Sequence, residues 1–87
     1  MNNFPGKPKL SKLFRFQWEA AQNAYVLLYP EGMVTLNQSA AEILKRCDGE
    51  RDTAAIVRDL ENTFSVSGLD ADVEDFLRVA NERGWLA

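Results

Sequence analysis

The chain has 87 residues, 46% of them hydrophobic and 26% charged, and a net charge of −3 at pH 7. At this length it is one domain with a modest core. It contains no histidine and a single cysteine, Cys47, which excludes Ser-His and Cys-His catalysis, most zinc sites and an internal disulfide.

The charge is unevenly spread. Lys7, Lys9, Lys12 and Arg15 put +4 into the first 18 residues, while the rest sums to −7. A basic arm beside an acidic body is either a solvated surface or an arm that docks something acidic. The longest apolar run, residues 24–29, is far short of the ~20 residues that span a bilayer. The first 12 residues have no hydrophobic signal core. A cytoplasmic location without membrane contact is the expectation.

Asn2, Asn3, Pro5, Gly6 and Pro8 predict an irregular, mobile arm over residues 1–8, ahead of a single domain at 9–87. From Leu13 the pattern alternates. Phe14, Phe16, Trp18 and Ala20 share one face and Arg15, Gln17 and Glu19 the other, which predicts a half-buried strand. A turn at 21–23 leads to residues 24–29, apolar on both faces and suited to a central strand. Pro30, Glu31 and Gly32 make the next turn. Met33, Val34, Thr35 and Leu36 then form a short third strand.

The remainder reads as helix. Asn37 is a good N-cap, and Ser39 with Glu42 also fits a capping box. Ala40, Ile43, Leu44 and Cys47 make one apolar stripe, and Gly49 is placed to end the helix in a left-handed conformation. Asp52 opens a second helix with Ile56, Val57, Leu60 and Phe64 inward, broken at residues 65–68. Asp70 opens a third, with Asp72, Glu74 and Asp75 near its positive end. Val73, Phe76, Leu77 and Ala80 form its inner stripe. Gly84 closes it, and Trp85 and Leu86 fold back. The fold class is α+β: a three-stranded antiparallel meander followed by three helices, winged-helix-like.

Two neighbouring features can carry recognition. The third strand comes last in the meander. Its outer edge is either covered by the domain's own arm or a helix, or open to β-augmentation by a peptide. Proline at Val34 is expected to remove one edge N–H. On the third helix, Val79 falls off the inner stripe beside Asp72 and Arg83. It is either an ordinary exposed valine or, with Phe76 beneath it, one wall of a groove.

Competing functions fare worse. The winged-helix outline suggests a DNA-binding transcription regulator. Its recognition helix, however, would carry five acidic residues against Arg78 and Arg83 and repel the duplex. The carboxylates at the start of that helix lack histidine, metal-ligand spacing or a phosphate loop, so no enzyme is expected. Cys47 reads as a buried structural thiol.

Several segments carry a family resemblance. Pro8-Lys9-Leu10 precedes the alternating strand. Tyr25-Val26-Leu27-Leu28-Tyr29-Pro30-Glu31-Gly32 and Leu36-Asn37-Gln38-Ser39-Ala40-Ala41-Glu42-Ile43-Leu44 follow, then Cys47-Asp48-Gly49-Glu50-Arg51 and Gly84-Trp85-Leu86. As a set they resemble the PqqD family of pyrroloquinoline quinone biosynthesis, from about Pro8 onward. The resemblance implies a non-catalytic peptide chaperone with no cofactor of its own. It implies a precursor peptide bound as an added strand between the third strand and the third helix. It also implies presentation of that peptide to a radical S-adenosylmethionine enzyme that cross-links a Glu and a Tyr. The implied site comprises Met33, Val34, Thr35 and Leu36 on the edge, pockets at Phe76 and Val79, and Asp72 and Arg83 orienting charged peptide residues. Neither nucleic acid nor membrane is an expected partner, and the chain is read as a monomer or a strand-exchanged dimer.

Overall fold

The computed structural model describes residues 6–87; residues 1–5 of the expected arm lie outside them. Strand β1 is Arg15–Glu19, β2 Ala24–Tyr29 and β3 Gly32–Thr35, in sheet order β1-β2-β3 with both pairings antiparallel. Helices α1 (Gln38–Lys45), α2 (Thr53–Phe64) and α3 (Asp70–Glu82) follow. The expected meander and three helices are therefore present in the expected order.

Local chemistry sets the helix ends. Asn37 caps α1 by accepting from the Ala40 N–H at 2.8 Å, and Asp52 caps α2 by accepting from Ala55 at 2.8 Å. Each oxygen satisfies one of the donors a helix start leaves open. At the end of α3, Gly84 has φ +78. Its N–H donates to Asn81, and Trp85 N–H donates to Ala80 at 2.9 Å. This paired reversal folds Trp85 back onto the helix it follows. Gly49 corrects an expectation. Helix α1 stops at Lys45 with Arg46 as its C-cap, while Gly49, at φ +81, turns the chain further on and donates to the Pro8 carbonyl. A Cβ there would lie 3.1 Å from the Lys9 side chain.

The central strand is buried on both faces. Leu27 joins the main core with Ile43, Leu44, Ile56, Leu60, Val73, Leu77 and Ala80. Val26 is equally buried but lies outside that cluster, on the other face of the sheet. Each buried Val, Leu or Ile side chain contributes about 1.5–3 kcal/mol. Helix α1 packs on β2, and α2 packs on both α1 and α3. Pro8 is fully buried. The chain beside it is tied to the C-terminus, with Ser11 donating to Trp85 and Ala87 to Lys9, both at 2.7 Å.

Two inward expectations fail. Phe64 is 43% exposed and Trp18 51%. Phe64 is the last residue of α2, and Trp18 the last but one of β1. Trp18 instead sets its ring edge on Tyr25, with centroids 5.1 Å apart.

Candidate functional site

The outer edge of β3 can be resolved residue by residue. Leu36 N–H donates to the Tyr25 carbonyl at 2.9 Å, one step beyond the Val26–Thr35 pair. Bonded and non-bonded pairs alternate along an antiparallel ladder. The bonded pairs are thus Leu36 with Tyr25, Val34 with Leu27 and Gly32 with Tyr29. Thr35 and Met33 point their N–H and C=O away from β2, and no backbone group among the described residues meets them. The expectation that Val34 offers an edge N–H is therefore wrong: the hairpin register turns that amide toward Leu27.

The side chains divide in the same way. Val34 packs at the margin of the core and Leu36 is buried within it, so Leu36 offers little side chain to a ligand. Met33 and Thr35 are exposed on the opposite face. There Gln22 reaches across, accepting from the Thr35 hydroxyl at 2.5 Å and donating to Met33 Sδ at 3.8 Å.

On α3, Asp72, Phe76, Val79 and Arg83 fall within about 60° of one another around the helix axis. Phe76 is half-buried at the core margin, and Val79 is 37% exposed. The stripe therefore runs from an acid at the helix N-terminus, over an apolar middle, to a cation at the C-terminus, an order the helix dipole favours. Strand β3 packs on β2, and α3 on α2; the strand and helix do not interlock. Val34 and Phe76 edge the same core from the two elements.

Trp85 was missed as part of this stripe. Its ring centroid lies 6.3 Å from that of Phe76, and the Arg83 guanidinium carbon stands 5.7 Å from it. The position of Gly84 could have signalled this, because the reversal it permits returns the next residue to the helix. A hollow of about 220 Å³ was missed as well. It lies where α1, the end of α2 and the start of α3 meet, with Phe64, Val66 and Leu69 on its wall and Asp72 on its rim. An apolar Val66 in an otherwise polar break was the available signal. A further hollow of about 300 Å³ is lined by Trp18, Tyr25, Leu36 and the start of α1.

The ionic groups near these surfaces are structural. Arg46 binds Glu42 at 3.0 Å and the Glu42 carbonyl at 2.8 Å, and its Nε donates to Asp59, which joins α1 to α2. Burial pushes the Glu42 carboxyl up, but hydrogen bonds from Arg46 and Lys45 outweigh it and hold the group below its ordinary value. Lys45 also stands 4.6 Å from the Tyr25 ring centroid. Burial, with Asp48 adding to it, pushes the Cys47 thiol up to about 12, and its S–H donates to the Ile43 carbonyl at 3.4 Å. Such a thiol is inert.

The sequence model of the family described as "Coenzyme PQQ synthesis protein D (PqqD)" matches residues 24–86. A protein of Azotobacter vinelandii named "PqqA binding protein" is 59% identical over 80 residues, covering 91% of this chain and 87% of the relative. A protein of the same name from Methylococcus capsulatus is 49% identical over 78 residues, covering 90% and 84%. Among solved structures, a PqqD truncation of Methylobacterium extorquens PqqCD superposes with a TM-score of 0.79 at 27% identity. The match covers 99% of this chain and 96% of that one. That solution NMR structure is described as a functional, stand-alone recognition element for ribosomally synthesized and post-translationally modified peptides. A family match across β2, β3 and all three helices, with relatives this similar over nearly the whole length, means that the chain belongs to the PqqD family.

Proposed function

We propose that this chain is a non-catalytic, cytoplasmic peptide chaperone. It binds PqqA, the ribosomally made precursor of pyrroloquinoline quinone, and presents it to a radical S-adenosylmethionine enzyme that cross-links a Glu and a Tyr of that peptide. The observation that carries the reading is the unpaired edge of β3, whose Val34 borders the same core as Phe76 of the α3 stripe. Main-chain bonds to Met33 and Thr35 supply affinity without regard to sequence, and alternate side chains of the added strand select for it. Val34, Phe76 and Val79 offer the apolar wall. Asp72 and Arg83, at opposite ends of α3, fix the direction in which a charged peptide lies. The names of the relatives support this reading.

Titration of the precursor peptide against isotopically labelled chain tests it. The expected result is saturable binding, with the largest amide shifts at Met33 and Thr35 and along residues 72–83. Absence of saturable binding by tens of micromolar overturns the chaperone reading. The winged-helix alternative requires a duplex to bind with a steep salt dependence, which the −3 charge of residues 70–83 opposes.

A further inference from the structure

The hollow between α1, α2 and α3 shares only Asp72 with the peptide site just described. Two of the most exposed large apolar side chains among the described residues, Phe64 at 43% and Val66 at 46%, stand together on its wall. They are held out by Ser65, a non-glycine residue at φ +55, a backbone state that is uncommon and costs energy unless its surroundings enforce it. Here they do: Val66 N–H donates to the Glu61 carbonyl, and the Glu61 carboxylate accepts from Leu69 N–H at 3.0 Å. The apolar pair is therefore displayed by a fixed turn.

The charge around the hollow is one-sided. Glu42 is neutralised by Lys45 and Arg46, and Glu61 is occupied by its backbone bond. Asp72 on the rim, with Asp70 two residues before it, meets no cation among the described residues. At about 220 Å³ the hollow is smaller than the roughly 300–1,000 Å³ of small-molecule sites, and it suits one large side chain. A second copy of the chain would bring two acidic rims together about a two-fold axis. The complementary occupant is a protein surface that offers a bulky apolar side chain flanked by a lysine or arginine.

We infer that this hollow is the docking site for the enzyme that acts on the bound peptide, entered by one apolar anchor with a cation set against Asp72. The inference rests on the chaperone reading for the identity of the partner. Asp72 stands both on the rim and at one end of the α3 stripe, so an enzyme seated here is adjacent to that end of the proposed peptide site. One surface holds the peptide and its neighbour holds the recipient.

The test uses the full chain carrying Phe64→Ser with Val66→Ser and, separately, Val66→Arg, which fills the hollow and places a cation against the partner's own. Both positions are exposed, and circular dichroism and thermal melts verify folding. The radical enzyme and the precursor peptide are titrated separately onto each variant. The expected result is unchanged peptide affinity, with enzyme affinity reduced at least about tenfold, as loss of an interface anchor produces. Unchanged enzyme affinity in either folded variant overturns the assignment. A parallel loss of peptide affinity would make the peptide the occupant, and a change in self-association by sedimentation would make it a second copy; either result overturns it. Failure of the unmodified chain to bind peptide refutes the chaperone reading instead, while the enzyme titration still reads the hollow.

Discussion

The guanidinium of Arg83 stands over the indole of Trp85, 5.7 Å from its centroid, and joins the first residue after α3 to a ring that the Gly84 reversal has returned to the helix. Phe76 lies on the same ring, so a cation, an indole and a phenyl form one end of the proposed peptide groove. Arg83 is exposed, and a cation–π contact at such a site is worth about 0.5–1 kcal/mol. Arg83→Ala is expected to lower stability by no more than that in urea unfolding. It should weaken the precursor peptide more than it weakens the fold, and the peptide should change the emission of Trp85 in the unmodified chain.

Proline substitutions along β3 separate the two directions of its amides. Val34→Pro removes a bond to Leu27 inside the sheet, leaves the Leu27 carbonyl without its donor and is expected to destabilise the fold by about 1–3 kcal/mol. Met33→Pro removes an outward N–H, which an edge strand tolerates. The Met33 variant should remain folded by circular dichroism and lose peptide affinity. Folded Met33→Pro that binds peptide as the unmodified chain does would count against strand addition at this edge.

The Arg46 network ties α1 to α2. Its side chain is only 12% exposed. Arg46→Ala removes the donor to the Glu42 carbonyl and to the Asp59 carboxylate and one of the two donors to the Glu42 carboxylate, at a cost of about 1–3 kcal/mol, to be read as a lower denaturation midpoint.

Acid should destabilise the chain in a defined direction. The Glu42 carboxyl is pushed up by burial and pulled further down by Arg46 and Lys45, and Asp48 is lowered by the hydrogen bond from Glu50 N–H. Both folded values lie below the ordinary 4.5 and 3.8. Their contribution is full above those ordinary values and is lost as the pH falls through the lowered ones. Melting temperature should fall below about pH 4–5. Glu42→Gln should flatten that fall.

Cys47 provides a reporter of folding. With its thiol pushed up to about 12 by burial and Asp48, it should resist iodoacetamide at pH 8 in the native chain. It should react once the chain is unfolded in guanidinium, as mass spectrometry would detect. Native labelling at the unfolded rate would contradict this burial.

Much of this protein is set by interactions only a few residues apart, and those the sequence determines alone. Asn37 and Asp52 cap their helices through bonds to the third residue on, and the stripe of α3 follows from helical spacing. The doubly apolar run at residues 24–29 makes a central strand because no outer strand could bury both of its faces. Tertiary structure decided the rest. The direction of the Val34 amide depends on hairpin register, since a shift of one residue exchanges inward and outward groups along the whole edge. The exposure of Phe64 and Trp18 depends on where the neighbouring elements end. Trp85 joins the α3 stripe only because the chain reverses at Gly84, and the hollow beside Asp72 exists only where three helices from distant parts of the chain meet. Spacing in sequence fixes which face a side chain occupies, but what stands opposite that face depends on chain segments far away in the sequence.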